Sequence, residues 1–594
     1  MAGAVSAGAY TAGVMDYLLE TLHAWNALKK TGNDHIPQHR VQIDALGGAS
    51  AGGITAALSL LAMHHGLTPI RQPEEGLNAD NLLYDAWVNL ADRPLPNGQY
   101  SNDTFRSMLA TDDIKPGQGV AALLNSTPID RIAERALRAK PGPLPEFVAS
   151  DLEIILSLFS LRGLRREVPF ISGRTTDEPG HPFYLHKLYG HFKLHQPEAN
   201  HLPFDIRKPG DVQRLIHLAK ATAAFPIGMQ SRNVDDFSSS YLQQSVNRFV
   251  PMDDVINLEE ASPYKFTAVD GGTANNEPFG EIAQILTKRH PGLEQNLAVL
   301  LIDPFPSFDI EEAAVTQQNH LLQIIPALVN ALRQQVMVKE ADVVRREYAH
   351  ISLNMIWPKR YDNILKNLPN PIACGALGGF SGFFDRSFRE HDFFLGRENC
   401  RRFLRFFFIR EYPLPSVTTR QDWHPVHRSW TPAMVNAFKQ ELPRKGLIRL
   451  PLIPDPFWMN KDSKFYDQYL HVASPPFPSI PASQILGFKK DLDKRIEAIL
   501  KNLQNINSAP GNVPSPLDVA VEKYLQKEFS GNWFKSSIRY LGQKFAGIFL
   551  PDDVGKIIDK FYRNTLTRKA LSYIIHDLAR HGLLSDDPFK PEAK

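Results

Sequence analysis

Near the N-terminus the hydrophobic pattern switches from helix to strand and back. Val14, Tyr17, Leu18, Leu22 and Trp25 recur at spacings of three and four, which puts them on one face of a helix over residues 9–27. "VQIDAL" (41–46) is a short, mostly apolar run and predicts a buried strand. "GGASAGG" (47–53) turns the chain, and "ITAALSLLAMHHG" (54–66) continues as a helix that stops at Gly66. Residues 70–205 read as short helices mixed with loops. A further helix is expected around "DVQRLIHLAKATAAF" (211–225), then a strand at "KFTAVDGG" (265–272) and another at "AVLLIDPFP" (298–306), stopped by prolines. Strands alternating with helices predict an α/β fold whose central sheet is mostly parallel and covered on both faces.

The second half has a different texture. A long helical run is predicted from 310 to Ser352. Residues 353–480 are rich in Pro, aromatic residues and Arg, and helical periodicity returns with "ILGFKKDLDKRIEAILKNL" (485–503). We place a boundary near residue 350, between a first domain (1–350) and a largely helical, Pro- and aromatic-rich C-terminal region (351–594).

Composition narrows the function classes. A formal charge of +2 gives no reason to expect nucleic acid as a partner. Two cysteines, Cys374 and Cys400, make neither a disulfide framework nor a four-cysteine metal site, and they fit a reducing compartment. The first basic residue is Lys29, and small residues precede the apolar ones, which is the wrong order for a signal peptide. Residues 45–63 carry no charge over 19 positions, a length that would cross a bilayer. Gly, Ala and Ser crowd the first half of that stretch, so a strand, a turn and a buried helix are expected there instead. A cytoplasmic protein, peripheral at most on a membrane, is the expectation. Nothing calls for a metal or a cofactor, and the oligomeric state is left open.

Three segments carry chemistry. Gly48-Ala49-Ser50-Ala51-Gly52 follows a strand and opens a helix, the setting of a nucleophile elbow. The turn is crowded, so its flanks must be small, and the helix start offers free N–H groups beside the serine. Asp270 ends a strand before Gly271 and Gly272 and can reach a serine across neighbouring strand ends; taken alone, an Asp-Gly turn is ordinary. "GAVSAG" (3–8) is a small-residue loop before a helix and can aim backbone N–H groups at an oxyanion.

In this order the three segments resemble the patatin-like phospholipase family, with a glycine-rich loop, G-x-S-x-G, then Asp-Gly-Gly. The helix "GAYTAGVMDYL" after the loop is similar to the family's, as are Ala221, Ala224 and Pro226 in "ATAAFPIGM" and Asn276 and Pro278 after the aspartate. The resemblance covers about residues 1–310. It implies a three-layer α/β fold and a Ser-Asp dyad with no histidine. Ser50 would be the nucleophile, Asp270 its base, and N–H groups of Gly3, Ala4, Val5, Ser6 and Ala51 would hold the oxyanion. The implied substrates are phospholipid or neutral-lipid esters, met at a membrane surface.

Two departures from the family pattern matter. The loop lacks the family's basic residue and places β-branched Val5 where a positive φ would be strained. The 220 residues between Ser50 and Asp270 imply an insertion, placed at about 70–205 and able to form a lid or cap. The loop also wants a strand before it, so an apolar segment of about five residues is expected upstream of Met1 in the native chain.

Three alternatives remain open: an α/β-hydrolase triad using His391, His424, His427 or His576, a nucleotide-binding protein, and a catalytically impaired scaffold on the same fold. Ser6, in "AVSAG", lacks the preceding strand that a second elbow would need. "NWFKSSIRYLGQKFAGIFL" (532–550) aligns Phe534, Ile538, Leu541, Phe545 and Ile548, with Lys535, Arg539 and Lys544 on other faces. Packing on the core is its commoner fate, a membrane surface the other. "CRRFLRFFFIR" (400–410) is likewise read as core with a basic edge.

Overall fold

One long strand organises the molecule. In the computed structural model of the chain, the described residues are 1–77, 80–90, 103–115, 118–168, 181–249, 263–305, 351–362, 366–413, 420–442, 445–459, 475–507 and 552–586. Numbering the strands along the chain, β1 is Ile43–Gly48, β2 Val148–Val168, β3 His181–Leu194, β4 Leu202–Phe204, β5 Arg232–Phe237 and β6 Tyr264–Asp270. The sheet runs β4-β3-β2-β6-β5, with β1 on β2. β1 and β6 share one edge of β2: β1 runs parallel to it up to the pair Gly48–Leu156, and β6 antiparallel to it down to the pair Asp270–Leu158. The two strands therefore meet end to end, two β2 residues apart, roughly 7 Å along the strand.

The sheet is mixed, not mostly parallel. β1–β2 and β3–β4 are parallel, while β2–β3, β2–β6 and β5–β6 are antiparallel. The expectation of short helices and loops throughout 70–205 is corrected at the same place. Residues 148–204 supply β2, β3 and β4 and so form the centre of the sheet. Burial of β2 on both faces sets apolar residues side by side in "LEIILSLFSL" and hides the alternation that marks a strand.

Helices cover both faces. Along β2, Ile154, Leu156 and Leu158 point into the main core, and Ile155 points the other way, with Tyr189, Phe249 and Ile285. Two helices, α1 (Gly8–Lys29) and α2 (Ala51–His65), join α3 (Pro209–Thr222) in that main core, while α4 (Phe279–Arg289) packs behind β1. This is the three-layer arrangement that the resemblance implies. Residues 45–63, uncharged throughout, divide into the end of β1, a turn and most of α2. No helix among the described residues is long and apolar enough to cross a membrane.

Helix α1 is buried on more faces than its apolar stripe predicts, because the C-terminal region packs along it. The covering helix, α5 (Arg386–Phe406), crosses so closely that a Cβ on Gly13 would overlap the Phe393 carbonyl. Asp16 and Glu20 are buried there, and both pair with Arg397. The "CRRFLRFFFIR" segment is mostly interior, as expected: Cys400, Phe403, Leu404 and Arg405 are buried, and Arg405 donates to the Trp458 carbonyl at 2.9 Å. Phe407 is the exception and stands exposed.

The C-terminal region also holds strands that a largely helical reading lacked. β8 (Ser352–Ile356), at the place where the long helix was expected to end, pairs in parallel with β7 (Ala298–Ile302), the strand expected at 298–306. β9 (Ile409–Pro413), β10 (Gln440–Leu442) and β11 (Leu447–Pro451) form an antiparallel sheet over a small core of Tyr412, Trp423, Trp430 and Phe438. Most of the predicted 310–352 helix and all of the 532–550 stripe lie outside the described residues.

Candidate active site

The end-to-end meeting of β1 and β6 brings two distant side chains together. The turn after β1 carries Ser50 at φ 51°, ψ −127°, a conformation few L-residues adopt. Gly48 makes the turn possible, because a Cβ there would strike the backbone of Gly52. β6 ends on Asp270, whose Oδ2 accepts a 2.6 Å hydrogen bond from Ser50 Oγ. Its other oxygen, Oδ1, accepts from the Gly272 N–H at 2.7 Å, which fixes the carboxylate. Both side chains are buried, Ser50 to 7% exposure and Asp270 to 6%.

One residue of this centre escaped the sequence reading. Thr222 ends α3, and its Oγ1 accepts from the Ser50 N–H at 3.0 Å and donates to the Ser157 carbonyl at 2.5 Å. It ties the elbow to β2. The only sequence signal was its place inside "ATAAFPIGM", where its neighbours drew notice as small residues.

The N-terminal loop lies against the same point. Met1 and Ala2 are extended between β1 and β7: the Met1 amine donates to the Gly47 carbonyl, and the Ala2 N–H donates to Ile302. A Cβ on Gly3 would stand 2.8 Å from Ser50 Cβ and 2.5 Å from Asn276 Oδ1, so only glycine lets the loop approach this closely. Val5 takes φ 49°, the strained setting foreseen for it, and lines the cavity in front of Ser50. Ala51 opens α2, where first-turn N–H groups have no intrahelical acceptor. Gly3, Val5 and Ala51 thus gather at Ser50. Ser6 turns away: its buried hydroxyl donates to the Gly379 carbonyl and accepts from the Gly382 N–H.

The cavity in front of Ser50 has a volume of about 110 Å³. Its walls are apolar: Ile54, Ala57, Leu58 and Leu61 along α2, Trp87 and Ile132 from the 70–205 segment, and Phe380 and Phe383 from the C-terminal region. Among the described residues, the one charged side chain on the wall, Lys220, is paired with Asp130 at 2.9 Å. No histidine among the described residues lines this cavity. Of the four histidines proposed for a triad, His391 bonds to Asp392, and His427 is held between the Tyr412 hydroxyl and the Pro451 carbonyl. Burial lowers the His427 pKa to about 3. His424 contacts the Gln295 carbonyl, and His576 sits on the helix α6 (Asp552–Arg580). Burial raises both cysteine thiols, so neither is a competing nucleophile.

One cluster of described residues has metal-ligand spacing. Glu153, His191 and His201 place their ligand atoms within 4.8 Å of one another. The Arg248 guanidinium lies 3.3 Å from Glu153 and 2.9 Å from His201, so the cluster already holds its own cation and does not fit a metal.

Residues 1–283 match the patatin-like phospholipase family. A protein of Sinorhizobium fredii (strain NBRC 101917 / NGR234), described as uncharacterized protein y4iI, is 30% identical over a match that covers 68% of this chain and 63% of the relative. The match thus spans less than two thirds of that relative's length. No solved structure matches the chain.

Proposed function

On the premise that residues 1–283 are a patatin-like phospholipase domain, we propose that the protein is a lipid acyl hydrolase working through a Ser50–Asp270 dyad. The observation that carries this reading is the 2.6 Å bond from Ser50 Oγ to Asp270, made at a strained strand-to-helix turn. Ser50 Oγ attacks the ester carbonyl as its proton passes to Asp270 Oδ2. N–H groups of the residue 3–5 loop and of Ala51 receive the oxyanion. The tetrahedral adduct collapses, the alkoxide leaves with the proton from Asp270, and an acyl-Ser50 ester remains. Water, deprotonated by the same carboxylate, then hydrolyses that ester and restores Ser50.

The cavity supports an apolar acyl chain as the group held beside Ser50. Among the described residues its walls offer no unpaired charge, and transferring a methylene from water to such a site is worth about 0.8 kcal/mol. A lipid surface as the source of substrate is supported by the rim. Phe225 lines the cavity and is 38% exposed, and Ile227, two residues on, is 77% exposed. Leu123, 51% exposed, donates its N–H to the Ile227 carbonyl and adds a third exposed apolar residue to this stretch.

Hydrolysis of a nitrophenyl ester tests the chemistry. Ser50→Ala and Asp270→Asn are each expected to fall to the uncatalysed rate while the protein stays folded. A fluorophosphonate probe is expected to label Ser50. Full activity in Ser50→Ala, or labelling of Ser6, would overturn the dyad.

A further inference from the structure

The hydroxyl of Ser6 has no place in the dyad, yet it is buried to 1% exposure and fully engaged with residues more than 370 positions away. It follows Val5, the strained residue of the loop at Ser50. A β-branched residue at φ 49° does not hold that conformation unaided; its surroundings must impose it. Those surroundings come from the C-terminal region. Leu377, Gly378 and Gly379 take φ 55°, 63° and 103° in succession and fold the chain back onto the loop. Gly379 comes so close that a Cβ there would lie 3.1 Å from the Ala4 carbonyl oxygen and 3.2 Å from Val5 Cβ. Ser6 Oγ closes the contact by donating to Gly379 and accepting from Gly382 at 3.1 Å.

The turn is itself anchored from several sides. The Leu377 N–H donates to Asp577 on α6 at 2.6 Å. The Ser381 hydroxyl donates to the Ala373 carbonyl, and Arg389, fully buried, donates to the Gly382 carbonyl. The same turn carries Phe380 and Phe383 into the cavity wall. One short segment therefore both presses on the oxyanion loop and lines the acyl cavity.

We propose that Ser6 is a positioning residue: it clamps the oxyanion loop to the 377–382 turn, so that the C-terminal region sets the geometry in which Val5 and its neighbours meet the developing oxyanion. This rests on the acyl-hydrolase reading above. Removing the hydroxyl strands a buried carbonyl and a buried N–H and releases Val5 toward a relaxed φ. The loop N–H groups then drift from the oxyanion while the apolar walls that bind the chain remain.

The test is the kinetics of the full-length chain on a nitrophenyl ester. Ser6→Ala is expected to lower kcat on the order of 10- to 100-fold, the cost of a small misplacement at a reacting centre, with KM changed less than about twofold. Ser6→Cys, which keeps a weaker donor and acceptor, is expected to recover part of that loss. Asp577→Ala releases the turn from its far side and is expected to show the same fall in kcat at constant KM; it carries the test if Ser6→Ala does not fold. Wild-type kcat in Ser6→Ala or in Asp577→Ala overturns the clamp, and so does a rise in KM without a fall in kcat. A wild-type protein that neither hydrolyses the ester nor takes up a fluorophosphonate overturns the acyl-hydrolase reading itself, and the clamp with it.

Discussion

At the scale of single residues, the site depends on a few groups that hold others in place. Thr222 is the clearest case, because one hydroxyl serves both the Ser50 N–H and the Ser157 carbonyl. Thr222→Val keeps the shape and removes both bonds. Two buried polar groups are then left without this partner, at about 1–3 kcal/mol each. The expected result is a lower urea midpoint at unchanged m-value, together with a lower kcat for ester hydrolysis. A midpoint equal to wild type would show that the elbow does not need the threonine. Asp270 was legible in the sequence as an aspartate before two glycines. Thr222 was not, because a threonine at a helix end carries no signal until its partners are in place.

At the scale of elements, α1 and α5 form the joint between the two halves of the chain. Gly13→Ala puts a methyl group into the Phe393 carbonyl and is expected to destabilise the fold by about 1–3 kcal/mol, read from the denaturation midpoint. The same joint is sensitive to pH. Tyr17 on α1 donates to Asp455 at 2.8 Å, and burial raises the Asp455 pKa from 3.8 to about 6. A carboxyl whose pKa is raised by folding stabilises the fold when protonated. That contribution is complete below pH 3.8, the unfolded value, and is lost as pH rises through about 6. The shift of about two units corresponds to a change on the order of 3 kcal/mol across that window. Asp455→Asn is expected to flatten the fall of stability between pH 4 and 6, measured by urea denaturation at each pH. An unchanged slope would mean that other groups carry it; Asp16, buried in the same joint and also raised to about 6, is the next to replace.

At the scale of the whole molecule, the cavity in front of Ser50 is shared. Its walls come from α2, from α3, from the 70–205 segment and from the C-terminal turn; Phe225 lines it at 38% exposure, and Ile227, two residues on, is exposed with its backbone partner Leu123. A rim used for contact with a lipid surface separates two activities. Ile227→Asp is expected to leave hydrolysis of a soluble short-chain ester within about twofold, since the side chain is 77% exposed and is not part of the cavity lining. It is expected to reduce hydrolysis of lipid in anionic vesicles severalfold, because a carboxylate there must be desolvated and faces like charge. Equal loss on both substrates would assign the residue to the cavity itself.

What the sequence determined by itself is local. The elbow, the Asp-Gly-Gly turn, the small-residue loop and the helices α1 and α2 follow from side-chain size, backbone freedom and hydrophobic period, which act over a few residues. The strain at Val5 was visible for the same reason: a β-branched residue stood where the loop needs a positive φ. Only the tertiary structure decided that β1 and β6 meet end to end on β2, and so that Ser50 and Asp270 touch across 220 residues. It alone made the sheet mixed and put 148–204 at its centre. It also enclosed α1 with α5 and gave the Ser6 hydroxyl its two partners in the C-terminal turn. Each of these is a pairing between distant segments, set by edge hydrogen bonds and close approach in space, and periodicity along the chain carries no record of it.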